Sequence, residues 1–236
     1  MADHRQHSEK GRGALGFAAL LFLIACGPPS PASAPLPPGV DPGGVAREAA
    51  DLTHPQMPKQ IRFEFRVREA DFRFQGRGVA RGDPSYRGRL DLFSNQGETL
   101  FEAALVGSEL RIPPWAPREL APPPALLWAA LGIFRPDQGL ELLGASGDGG
   151  DGTILRYGDP RGVELRFRIR EGQLTRAELY REGRLSEEVD LTLGDALEGV
   201  VETVYRNRAE FLEMTFSLDS IQEVESFPPH IWYPGQ

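Results

Sequence analysis

One thiol is available for chemistry in this chain. Cys26 is its only cysteine, so the protein has no internal disulfide even in an oxidising compartment. The thiol closes the apolar stretch Ala14 to Cys26, and Arg5, Lys10 and Arg12 give the segment before that stretch a positive excess over Asp3 and Glu9. Positive flank, short apolar run and small residues at its end make an export signal. The run is shorter than the roughly 20 apolar residues a membrane-spanning helix needs. Other chemistry finds little to stand on. Beyond the signal only His54 and His230 remain, and there is no Gly-x-Ser-x-Gly, no His-Glu-x-x-His and no phosphate-binding glycine loop. Hydrolase, metalloprotease and nucleotide-enzyme readings therefore lack their residues, and we expect no catalytic residue, no metal, no cofactor and no enzyme. The glycine-rich stretch Gly147 to Gly152 holds Asp148 and Asp151, too few carboxylates and wrongly spaced for a calcium loop; it reads as a flexible turn.

The residues Leu23, Ile24, Ala25 and Cys26 resemble the lipobox of bacterial lipoproteins. That resemblance implies cleavage before Cys26, a diacylglyceryl group on its thiol and an acyl chain on the new amino terminus, several chains that anchor far more firmly than one. The residue that follows is Gly27, where the resemblance associates aspartate with retention in the inner membrane. The expected location is thus the outer membrane, lipid-anchored and facing the periplasm. The chain divides into a signal peptide over 1–25, a lipidated cysteine with a proline-rich tether over 26–43, and one domain over 44–236. The tether, with Pro28, Pro29, Pro31 and Pro35 among serines and alanines, has a composition that stays extended and builds no core. Removing the signal takes the formal net charge from −8 to about −9, which argues against a nucleic-acid binder.

The elements that would position a site follow from periodicity. Val45, Ala49 and Leu52 share one face of a short helix over 44–53, which His54 and Pro55 end. Ile61, Phe63, Phe65 and Val67 then alternate with charged residues, the signature of a strand with one apolar face. Phe72, Phe74, Gly76, Gly78 and Ala80 continue the alternation in a second strand, whose glycines mark bending or a close neighbour. Strands carrying Leu90 and Leu92, Phe101 to Leu105 and Leu110 to Ile112 complete a meander that must curl to bury its apolar face. Prolines interrupt it, and Pro124 opens a segment from Ala125 to Phe134 that is apolar on every side: a buried helix or lid. Strands resume near 153–157, 163–170, 174–181, 185–193, 200–206 and 211–218. Arg62, Arg66, Arg68, Arg73, Arg77, Arg87 and Arg89 lie on the charged faces of three successive strands, either a basic surface or a solvated face paired across strands with Glu64 and Asp91.

This order of lipobox, tether, helix, meander, apolar helix and second meander resembles the LolA/LolB group of envelope proteins. The resemblance implies a mainly β fold, an incomplete antiparallel barrel with helices over its open side, and a cavity for acyl chains or other lipoproteins. Cavity candidates are Phe63, Phe65, Phe72, Phe74, Leu90, Phe101, Phe167 and Phe216 on the sheet and Leu127, Leu131 and Phe134 on the lid. The same side chains serve equally as plain core, since a sequence does not distinguish a hollow barrel from a filled one. The alternative is an envelope scaffold lipoprotein that binds a protein partner and holds no ligand.

Overall fold

The sheet begins and ends in its own middle. The computed structural model describes residues 34, 35, 40–70, 72–116, 118, 121–194 and 199–235, and these belong to one compact unit. Cys26, Gly27, the signal and most of the tether lie outside them. β1 (Ala34–Pro35) precedes α1 (Pro42–Thr53). Next come β2 (Lys59–Glu69), β3 (Phe72–Asp83), β4 (Arg87–Ser94), β5 (Thr99–Val106) and β6 (Glu109–Arg111). α2 (Pro124–Ala130) follows, and then β7 (Glu141–Gly147), β8 (Thr153–Gly158), β9 (Val163–Arg170), β10 (Gln173–Arg181), β11 (Arg184–Leu193), β12 (Val200–Asn207) and β13 (Leu212–Glu223). Spatial order is β1-β7-β8-β9-β10-β11-β12-β13-β2-β3-β4-β5-β6, every described neighbour antiparallel. The first meander runs outward from β2 to the β6 edge, the chain crosses with α2, and the second returns from β7 until β13 pairs with β2, Phe216 opposite Phe65. The edges β1 and β6 do not meet, so the barrel is incomplete.

Local chemistry fixes the turns and ends. In Glu171-Gly172 and Glu182-Gly183 both residues have positive φ (49° and 75°, 51° and 76°), the two-residue hairpin turn that matches strand twist. Asp41 caps α1, its carboxylate accepting from the amides of Gly43 and Gly44 at 3.1 and 2.8 Å. α1 buries Ala46 and Ala49, while Leu52, expected on the apolar face, is 59% exposed and lies over the Gly172 turn. α2 is shorter than the apolar run predicts. Gly132 adopts φ +77°, and the amides of Gly132 and Ile133 reach back to the carbonyls of Ala129 and Trp128 at 2.8 and 3.0 Å, a Schellman end that stops the helix at Ala130, four residues before Phe134. The stretch Gly147 to Gly152 is organised by Asp148, whose carboxylate accepts from the amides of Gly150 and Gly152 and from Arg170 at 2.9, 3.1 and 2.8 Å.

Alternation divides the sheet into an apolar inner and a charged outer face. From β8 round to β13 the outer face carries a ladder of ion pairs: Arg166 on Glu164, Arg176 on Glu178 and Asp190, Arg206 on Asp190 and Glu213. The carboxyl-terminal segment lies across the outside of β4 and β5, with Trp232 buried and Arg89 donating to the Ile231 carbonyl at 2.7 Å.

Candidate ligand cavity

The inner face is not filled evenly. On the β7–β10 side the core is tightly packed: Phe134 meets Phe167 edge to face at 4.9 Å, and Leu155, Leu165, Leu174 and Ala177 are almost fully buried around them. On the other side, between β2–β5, β11–β13 and α2, a cavity of about 160 Å³ remains. Its deep wall is Val67, Val189, Tyr205 and Met214, all buried; its more exposed side is Ile61, Leu90, Leu127, Leu131, Val200 and Phe216, all half-buried.

Two glycines on β3 accept aromatic rings from β2. An added Cβ at Gly78 would stand 2.2 Å from the Phe63 ring, and one at Gly76 would stand 2.9 Å from the Phe65 ring and 2.1 Å from the Phe93 carbonyl. Both rings therefore lie over glycine backbone, packed against the sheet.

α2 is clamped over the cavity at three points. The Trp128 indole N–H donates to the Gly107 carbonyl at 2.8 Å, the Thr203 hydroxyl donates to the Ala130 carbonyl at 3.1 Å, and the Thr53 hydroxyl accepts from the Phe134 amide at 2.9 Å. Leu126, Leu127, Ala130 and Leu131 line the cavity; Leu126 is fully buried, as are Trp128 and Ala129. The two buried polar side chains of the wall are internally satisfied: Thr203 by Ala130, and Tyr205, whose hydroxyl donates to Glu187 at 2.8 Å. Burial, reinforced by the Glu187 charge, raises the Tyr205 pKa above its ordinary value and keeps the phenol neutral. Ligands that demand a free hydrogen-bonding partner from these groups find none; apolar ones meet a matching wall.

Of the residues expected at a cavity, Phe63, Phe74, Leu90, Phe101, Leu127, Leu131 and Phe216 line it. Four do not. Phe65 is buried over Gly76, Phe134 and Phe167 belong to the tightly packed half, and Phe72 is 60% exposed at the end of β3, beside Phe74. Sequence reasoning missed Val189, Tyr205 and Met214. Met214 alternates with Leu212 and Phe216, so its face was readable; its place in the wall was not.

No family model matches the sequence, and no curated protein matches it. Among solved structures the chain is similar to a LolA superfamily protein from Nitrosomonas europaea, at 14% identity and TM-score 0.55 over 82% of this chain and 97% of that one. It is also similar to a DUF1329 family protein from Desulfovibrio piger, at 10% identity and TM-score 0.47 over 83% and 98%. A Vibrio parahaemolyticus domain named for outer membrane lipoprotein sorting is similar at 9% identity and TM-score 0.47 over 80% and 94%. Identities this low speak for the fold alone, and the first likeness carries it: the fold is LolA/LolB-like, an incomplete antiparallel barrel with helices across its open side.

Proposed function

We propose that this chain is a periplasm-facing outer-membrane lipoprotein, anchored through Cys26, that binds acyl chains of lipids or other lipoproteins in the cavity beneath α2 and catalyses no reaction. One observation carries the reading: an apolar cavity of about 160 Å³ whose buried polar wall groups are already hydrogen-bonded. An engineered cavity of about 150 Å³ lined by leucine, isoleucine and phenylalanine stays dry and takes up benzene. The cavity thus accommodates an apolar group of that size as it stands, and a longer chain enters by displacing α2, whose Leu127 and Leu131 already face it. The LolA-like fold and the lipobox-like Leu23 to Cys26 support a role in lipoprotein localisation.

The test begins with mass spectrometry of lipid copurified with the full-length protein. It continues with displacement of a fluorescent fatty-acid probe from the chain starting at Gly27, which contains the whole compact unit Pro31–Gln236. Copurified lipid and saturable probe binding are expected. A lipid-free protein that binds no probe would remove the reading and leave the scaffold alternative, which the tightly packed half of the barrel favours.

A further inference from the structure

The outer face of the sheet changes character at β2 and β3. To one side the ladder of ion pairs runs from β8 to β13; to the other, Asp91 is shared by Arg81 and Arg89. Between them, Arg62, Arg66, Arg73 and Arg77 are all exposed, and among the described residues none of the four makes an ion pair. Arg68 reaches Glu213 at 3.5 Å. Among the described residues, Glu64, opposite Arg77, is the sole acidic side chain on the outer face of these two strands between residues 62 and 79. In a chain of formal net charge −8 this basic face is not a product of composition.

Exposed aromatic rings stand at the end of these strands: Phe72 opens β3, on the alternation of Phe74, and Phe211 lies in the turn before β13. Glu69, the last residue of β2, pairs with Leu212 on one side and Phe72 on the other, so Phe211 and Phe72 flank one strand end. They are 79% and 60% exposed. Phe211 holds φ +53°, a left-handed conformation that bulky side chains rarely adopt and that persists where the surroundings impose it. Burial does not explain a ring held outward at that cost.

We propose that the β2–β3 face and its aromatic end dock on an anionic lipid bilayer. Arginines are drawn to anionic headgroups and their stems pack against apolar surface, while aromatic rings partition into the headgroup region. A fluid bilayer needs only charge and apolar area. This contact is independent of the cavity and additional to the anchor at Cys26.

The chain starting at Gly27 lacks the thiol, so cosedimentation with vesicles reads this surface alone. It is expected to bind vesicles of phosphatidylcholine mixed with phosphatidylglycerol, to ignore phosphatidylcholine alone, and to lose binding as salt rises. Replacing Arg62, Arg66, Arg73 and Arg77 by Gln should weaken binding about fivefold per arginine. Phe211→Ser should weaken it while leaving thermal unfolding and probe displacement from the cavity unchanged. Equal binding to neutral vesicles, or no effect of the four arginine changes, overturns the proposal. So does retention on poly-glutamate without vesicle binding, which assigns the face to an acidic protein.

Discussion

The Phe63 ring occupies the space that a side chain at Gly78 would need. An added Cβ there comes within 2.2 Å of two ring carbons and 3.1 Å of Leu92, with no backbone atom among its three nearest neighbours. The ring must therefore turn off the sheet, and the cavity it lines lies in its path.

Gly78→Val is accordingly expected to shrink the cavity from within. Fatty-acid probe binding should fall sharply, with a cost of roughly 1 to 3 kcal/mol from overpacking. Gly82→Ala, with nothing within 4 Å of the added atom, is the control and should change neither. If Gly78→Val binds the probe like the parent, the probe does not occupy this cavity.

What the sequence reveals here is faces, and what it hides is partners. The alternations of Ile61 to Val67 in β2 and of Val163 to Ile169 in β9 mark their inner faces without ambiguity. That β13 pairs with β2 joins residues far apart in sequence, and a period of two says nothing about which strand lies opposite. β7 escaped because Leu142 and Leu143 are adjacent apolar residues and Gly144 follows, which breaks alternation. The Phe63 ring packs on Gly78 beside the cavity, and Phe134 packs on Phe167 in the other half. Both are relations between distant residues, invisible to a local pattern.

Leu126 within α2 and Leu131 just past its end both line the cavity but differ in burial, and their truncations should separate. Leu126 is fully buried, so Leu126→Ala should cost roughly 2 to 5 kcal/mol. Leu131 is half-buried on the cavity, so Leu131→Ala should cost less and instead alter probe affinity. Thermal unfolding and probe titration of both variants check this. Equal destabilisation with no change in probe binding would make α2 plain core.

Asp148 ties stability to acid. Burial works to raise its pKa, but the Gly150 and Gly152 amides and the Arg170 guanidinium outweigh it and hold the carboxyl below the ordinary 3.8. The unfolded chain therefore takes up a proton before the folded one does. The stabilisation is complete above the ordinary carboxylate pKa and is lost as pH falls through the lowered one. Asp148→Asn should lower the melting temperature at neutral pH and flatten its decline in acid. An unchanged acid limb would show that other carboxylates govern it.

Cys26 is the only thiol of the chain, so the proposed lipidation has no other attachment point. Cys26→Ser should abolish acyl labelling and release from the signal, and Gly27→Asp should shift the protein towards the inner membrane if aspartate at that position governs sorting. Acyl labelling and density-gradient fractionation check both. A Cys26→Ser protein processed like the parent, with no acyl label on either, would remove the lipoprotein reading.

The clamp on α2 offers the last prediction. The Thr53 hydroxyl accepts from the Phe134 amide at 2.9 Å and donates to the Ala49 carbonyl at 2.8 Å, tying the end of α1 to the chain just beyond α2. Thr53→Val keeps the shape but strands the Phe134 amide, and an unmade bond at a buried donor costs about 1 to 3 kcal/mol. Trp128→Phe likewise strands the Gly107 carbonyl. If α2 must shift to admit an acyl chain, loosening either tie lowers the cost of that shift. Each variant should then melt earlier yet take up the fatty-acid probe faster than the parent, and the pair together should exceed either alone. Stopped-flow uptake alongside thermal unfolding makes the measurement. Slower or unchanged uptake in the destabilised variants would mean that the chain enters without moving α2, through the side bordered by Leu90, Val200 and Phe216.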